Sequence, residues 1–220
     1  VAHYYQTLTK LSASFAFCAD YAMLRLGGAL KRKEATSARL GDILSQLYLA
    51  SSVLKRYEDD GRQVSDLPFV NYAIDHCLYE VGQAFDAFFA NISFGSVIRF
   101  AVFPWGNPYH KPSDETLNQV VNSLSNNAVM RERLCKWCHI KAGSDIDNME
   151  RLLVILSEYK TLISRFEKAI KHARFDIKFD RLNAINTLSD EFNQEELAQL
   201  TEYETLRQAV IKVDEFESFD

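Results

Sequence analysis

Residues 66–89 read DLPFVNYAIDHCLYEVGQAFDAFF, and this stretch decides the fold. Asp66-Leu67-Pro68 is a helix start, a capping acid followed by a proline tolerated in the first turn. Val70, Ala73, Ile74, Cys77, Leu78, Val81, Ala84, Phe85 and Phe88 then recur at three- and four-residue steps. That period is the mark of an amphipathic helix. Its stripe widens through Phe88, Phe89 and Ile92, so more than one neighbouring element must cover it.

The same period extends in both directions. Upstream, Leu8, Leu11, Phe15, Cys18, Ala19, Ala22, Leu26 and Leu30 predict a long helix over 5–33, weakened late by Gly27-Gly28. A second helix is expected to be capped by Thr36 or Ser37, and to stop at Glu58-Asp59-Asp60-Gly61. Its stripe is Leu40, Ile43, Leu44, Leu47, Ala50, Val53, Leu54 and Tyr57. Downstream, residues 92–105 predict a short buried helix, followed by a loop from Trp105 to Pro112. Helices are expected over about 114–124, capped by Ser113 or Asp114, and over 127–137. Asp145 opens a long helix whose stripe runs from Met149 to Ile170, and 193–213 forms the last. The fold class predicted is all-α: an antiparallel helical bundle over 1–125, then a smaller helical region over 126–220 with an acidic tail.

Composition agrees. Only 8 Gly and 4 Pro occur in 220 residues, too few for a turn-rich β-sandwich, and the aromatic and aliphatic content is too high for disorder. A chain this long can bury about 70% of its unfolded surface, so it needs no metal or disulfide to hold a core. The net charge of −5 argues against a nucleic-acid partner. Residues 176–220 carry twelve Asp/Glu against four Lys/Arg, a tail expected to be a solvated helix face or to dock on a basic surface. The chain opens on Val1 without a signal-peptide pattern, and is expected to be a piece of a longer polypeptide.

Few residues offer chemistry. Cys135-Lys136-Trp137-Cys138-His139 has the C-x-x-C-H spacing of covalent haem attachment. It lies deep in a helical chain, without an obvious second axial ligand nearby. As zinc ligands, Cys135, Cys138 and His139 lack a fourth member at matching spacing. A redox C-x-x-C usually sits at a helix N-terminus after a strand, whereas this one follows the helical segment Val129–Leu134. The favoured reading is two thiols at a helix end. Cys18 and Cys77 read as small buried hydrophobes. His76, beside Asp75, is expected to be partly buried. Gly27-Gly28 reads as a close-packing or kink site, and Glu58-Asp59-Asp60 as loop charge without calcium spacing. No G-x-S-x-G, H-E-x-x-H, Walker or G-x-G-x-x-G pattern occurs.

The cations Lys31, Arg32, Lys33 and Arg39 gather at one end of the first two helices, with Lys55 and Arg56 towards the other. They suit solvated helix ends, or contact with anionic lipid, a CoA phosphate or an acidic surface. The apolar run 97–105 is too short to span a bilayer and contains Arg99. A peripheral membrane-association module through 88–105 is the alternative to a buried helix.

Several stretches resemble a known family. They are Leu11-Ser12-Ala13-Ser14-Phe15-Ala16, the run from Leu26 to Glu34, and the run from Ser37 to Ala50. Leu54-Lys55-Arg56-Tyr57, Asp66-Leu67-Pro68, Phe103-Pro104, Gly106, Tyr109 and Pro112-Ser113-Asp114 add to them. The chain resembles the C-terminal region of the large bacterial FadE-type acyl-CoA dehydrogenases, densely over about residues 5–118 and more thinly beyond. The resemblance implies a parent oxidoreductase of fatty acid β-oxidation that converts acyl-CoA to trans-2-enoyl-CoA with FAD. The catalytic glutamate and the flavin would lie upstream, so no catalytic, cofactor-binding or metal residue is carried over to this chain. It further implies an accessory role, with the dehydrogenase core of the same polypeptide and a homodimer mate as partners. The expected location is the bacterial cytoplasm, or the inner face of the cytoplasmic membrane. A haem or redox carrier through Cys135, Cys138 and His139 is the third reading.

Overall fold

The computed structural model describes residues 1–172 and 180–212, together with the backbone but not the side chain of His172 in the first of these spans. Ten α-helices and three 3-10 turns occur among the described residues, and no strand does. The chain divides into two compact units, residues 1–123 and 124–220.

In the first unit, α1 (Ala2–Leu26), α2 (Glu34–Asp59) and α3 (Leu67–Ala90) form the bundle, α4 (Gly95–Val102) lies over it, and α5 (Asp114–Asn126) leads out. Side-chain bonds fix the directions. Tyr5, at the start of α1, donates its hydroxyl to Glu58 at the end of α2, so these two helices are antiparallel. Tyr4 donates to Asp75 early in α3, and Tyr21 donates to the Ser93 carbonyl just past its end, so α1 and α3 run the same way. Burial and hydrogen bonding to the Asp75 carboxylate both push the Tyr4 phenol upward.

The core follows the periodicity. Leu8, Leu11, Cys18 and Ala22 of α1 meet Ile43, Leu47, Ala50 and Leu54 of α2, and Val70, Ile74, Val81 and Phe85 of α3. Burial pushes the Cys18 thiol to about 12 and also raises Cys77. The aromatic end of the α3 stripe is finished by Phe103, whose ring meets Phe85 edge-on at 5.5 Å and Phe89 at 6.1 Å.

Several local expectations change. α1 stops at Leu26, where Gly27 takes φ +48, and a 3-10 turn (Gly27–Arg32) follows. The pair is a break rather than a close-packing site, since added Cβ atoms would meet open space there. Neither Thr36 nor Ser37 caps α2, which begins at Glu34; the Ser37 hydroxyl donates back to the Leu30 carbonyl. Gly61 (φ +80) does end α2, with Arg62 also left-handed and its amide bonded to the Tyr57 carbonyl.

In the second unit, α6 (Ala128–Leu134) is capped by Asn127 and α7 (Asp145–Glu158) by Ser144. The long helix expected from Asp145 to Ile170 is two helices. The chain breaks at Tyr159 and continues as α8 (Lys160–His172), without a Gly or Pro to mark the break. α9 (Arg181–Thr187), on a stretch with no predicted element, is capped by Asp180, and α10 (Gln194–Ile211) starts with a reciprocal Asn193–Glu196 capping box. Phe166, Ile170, Ala184, Ile185 and Leu200 form one cluster, and Ile155, Ile163, Tyr203 and Leu206 another.

The acidic segment is therefore more than a solvated face. Glu204 is fully buried and accepts from Arg181 at 2.6 Å and Arg207 at 3.4 Å; Glu196 pairs with Arg165 at 2.6 Å. Its last residues, 213–220, lie outside the described residues.

Candidate functional site

The most distinctive surface of the first unit is apolar. The segment read as a buried helix has one buried face and one open face. Gly95, Ile98 and Val102 of α4 turn inward. Phe94, Val97 and Phe100 turn outward, with Phe94 and Phe100 about 70% exposed and Trp105, just beyond the helix, at 96%. α4 approaches α1 at one place, a shallow hollow lined jointly by Lys10, Ala13 and Phe17 of α1 and Ala101 and Val102 of α4. Phe17 and Leu24 stand one heptad apart on α1, and so share a face. Both are exposed, Leu24 at 84%. Large side chains are thus left uncovered along α1 and α4, as at surfaces that meet another molecule.

This face is held firmly. Asp86 of α3 accepts from Arg99 of α4 at 3.2 Å and from Asn107 at 2.8 Å. Asn107 in turn accepts the Tyr109 amide and packs on Gly82, where a Cβ would lie 2.6 Å from its side chain. Phe94 has φ +54 and ψ 25, a left-handed conformation that a bulky residue rarely adopts. Such strain costs on the order of 1–3 kcal/mol and persists only where the surroundings impose it. The Arg25 guanidinium covers the Phe94 ring at 5.6 Å, and the Ser93 carbonyl is fixed by Tyr21. Sequence reading could find the apolar content of 92–105 but not its outward half. The only cue was the two-face distribution of Phe94, Val97 and Phe100 against Ile98 and Val102.

The sequence-derived candidates do not converge. Cys135, Cys138 and His139 are all exposed, in the turn that follows α6. Among the described residues no group of three or more His, Cys, Asp or Glu is placed to hold a metal. His76 is exposed rather than partly buried, stacked beside Tyr72 with ring centres 6.3 Å apart. Lys55 pairs with Asp59, Arg56 with Asp60 at 3.4 Å, and Arg62 with Glu58, so the acids of the α2 end neutralise that basic patch. Hydrogen bonds from Arg62 and then Tyr5 hold the Glu58 carboxyl below its ordinary range. Lys31, Arg32, Lys33 and Arg39 occupy the other end. Among the described residues no helix is long and apolar enough to cross a membrane.

The groove between α1 and α2, about 510 Å³, is lined by Tyr5, Thr9, Ser12, Ser51, Lys55 and Glu58 among others. It does not fit FAD. Lys55 is already paired with Asp59, and the Glu58 carboxylate would face a pyrophosphate with like charge. No flavin step is assigned to this chain.

Comparison with known families finds a match. The family described as acyl-CoA dehydrogenase, C-terminal, bacterial type, matches residues 1–216, well past the point near residue 118 where the visible resemblance thins. No solved structure matches the chain.

Proposed function

The chain belongs to the bacterial-type acyl-CoA dehydrogenase C-terminal family, and from that premise we propose that it is an accessory domain which docks on the dehydrogenase core of the same polypeptide. The core, a FAD-dependent enzyme of fatty acid β-oxidation in this reading, takes acyl-CoA to trans-2-enoyl-CoA. That step needs a carboxylate to remove the α-proton and a flavin to accept hydride from the β-carbon, and both belong to the core. This chain supplies a rigid, apolar surface. The observation that carries the reading is the open face of α1 and α4, with Phe94 held there in a strained backbone.

The division of labour is tested by assaying the purified chain with palmitoyl-CoA, FAD and an artificial electron acceptor. No turnover and no retained flavin are expected. Turnover with stoichiometric flavin would place the chemistry in this chain and end the reading.

A second reading has a specific observation behind it. Arg25 lies against Phe94, so a cation borders the apolar face there, and Lys31, Arg32 and Lys33 follow in the chain. That combination suits peripheral contact with an anionic membrane. Co-sedimentation with vesicles rich in phosphatidylglycerol decides it. Pelleting that salt weakens and that Phe100→Glu abolishes would favour the membrane; a chain that stays in the supernatant removes it.

A further inference from the structure

The four cysteines fall into two chemical classes. Cys18 and Cys77 are buried on α1 and α3, and burial holds both as thiols. Cys135 and Cys138 are exposed and face a different chemistry. The Cys135 amide donates to the Arg131 carbonyl at 2.8 Å, closing the last turn of α6. The Cys138 amide donates to the Cys135 carbonyl at 2.8 Å. The two cysteines therefore stand at the first and fourth positions of a hydrogen-bonded turn. In such a turn the end Cα atoms lie within about 7 Å. A disulfide asks for Cα atoms about 4.4–6.8 Å apart, so the backbone already brings the pair to bonding range.

The platform beneath the turn is fixed. Arg131, 6% exposed, grips Glu150 of α7 through two bonds of 2.8 Å and donates to the Leu124 and Ser125 carbonyls at the end of α5. α6 is thereby anchored, and the thiols stand on its free end. Lys136 and Lys141 flank them, with the Lys136 ammonium 5.4 Å from the Trp137 ring. An anionic disulfide would meet cations on approach.

We infer that Cys135 and Cys138 form a redox modification site, a dithiol that closes to an intramolecular disulfide by exchange with a low-molecular-weight disulfide such as that of glutathione. In the first step the thiolate of one cysteine attacks the external S–S bond. A mixed disulfide forms and one external thiolate leaves. In the second step the other cysteine, as thiolate, attacks the protein-bound sulfur of the mixed disulfide. The Cys135–Cys138 bond forms and the second external thiolate leaves. The protein loses two electrons and two protons; the external disulfide gains the electrons and ends as two thiols. The inference is independent of the docking reading, since neither cysteine belongs to the α1–α4 face.

The test equilibrates the full chain in buffers of graded glutathione disulfide to glutathione ratio, traps free thiols by alkylation and maps each cysteine by peptide mass. Cys135 and Cys138 are expected to lose alkylation together in one transition, with a mass lower by two hydrogens and full recovery in dithiothreitol. Cys18 and Cys77 remain reduced in the folded chain. Cys138→Ser is expected to leave a stable glutathione adduct on Cys135, because the resolving thiol is gone. With Trp105→Phe removing the other of the two tryptophans, Trp137 emission is expected to fall as the neighbouring disulfide forms. Two independent glutathione adducts without closure would overturn the inference. So would thiols that stay fully alkylatable in excess glutathione disulfide.

Discussion

Gly95→Ala is expected to release α4 from the bundle and to lower the stability of the first unit by about 3 kcal/mol, at the upper end of the usual cost of overpacking. A Cβ at this position would lie 2.7 Å from the Phe89 carbonyl carbon, and closer still to its oxygen. The obstacle is backbone in the last turn of α3, so no rotamer change relieves it. The elbow between α3 and α4 must open instead. α4 has eight residues, too few to persist as a helix without its contacts. Ile98, Val102 and Phe103 would then leave the aromatic cluster around Phe85 and Phe89. Urea unfolding gives the size of the loss, and amide exchange gives its place. Protection over 95–102 should collapse while α7 and α10 keep theirs. Gly95→Ala at wild-type stability would mean that the elbow is not close-packed.

Glu204→Ala is expected to cost the second unit about 3–5 kcal/mol, the usual penalty for removing one partner of a buried ion pair. Glu204 is fully buried between Arg181 and Arg207, and Arg181 also reaches Glu167 and lies over the Phe166 ring at 5.5 Å. Without the carboxylate, the largely buried Arg181 keeps, among the described residues, the half-exposed Glu167 as its acid partner. Glu204→Gln retains an acceptor and should lose less. The paired change Glu204→Leu with Arg181→Met should recover most of the loss, because a buried ion pair repays its desolvation poorly compared with apolar packing. Urea midpoints of the three variants check the order. A Glu204→Ala variant within 1 kcal/mol of wild type would contradict the buried pairing.

Much of this fold was legible because helical periodicity reports which residues want burial. The stripes of α2 and α3 became the core almost residue for residue, and Gly61 ended α2 as its conformation requires. Periodicity does not report which neighbour covers a face. Leu44 fitted the α2 stripe yet is exposed, and the apolar segment after α3 turned half outward. Nor does it report breaks made by packing. The turn at Tyr159 has no Gly or Pro, and the stripe runs on through it to Phe166. α9 is one short turn-rich helix whose support comes from distant partners, Arg181 to Glu204 above all, and such pairings carry no local signal. The candidate face was hidden for a related reason: an exposed phenylalanine and a buried one look alike in a sequence.

The docking claim is tested most directly by comparing solvent access to the face with and without the core. Phe100→Cys places a thiol on the open side of α4, and alkylation of that cysteine can be followed by peptide mass in both the isolated chain and the whole dehydrogenase. The account predicts rapid labelling in the isolated chain and labelling at least about ten-fold slower in the whole enzyme, where the core covers α4. Equal rates in the two would contradict it.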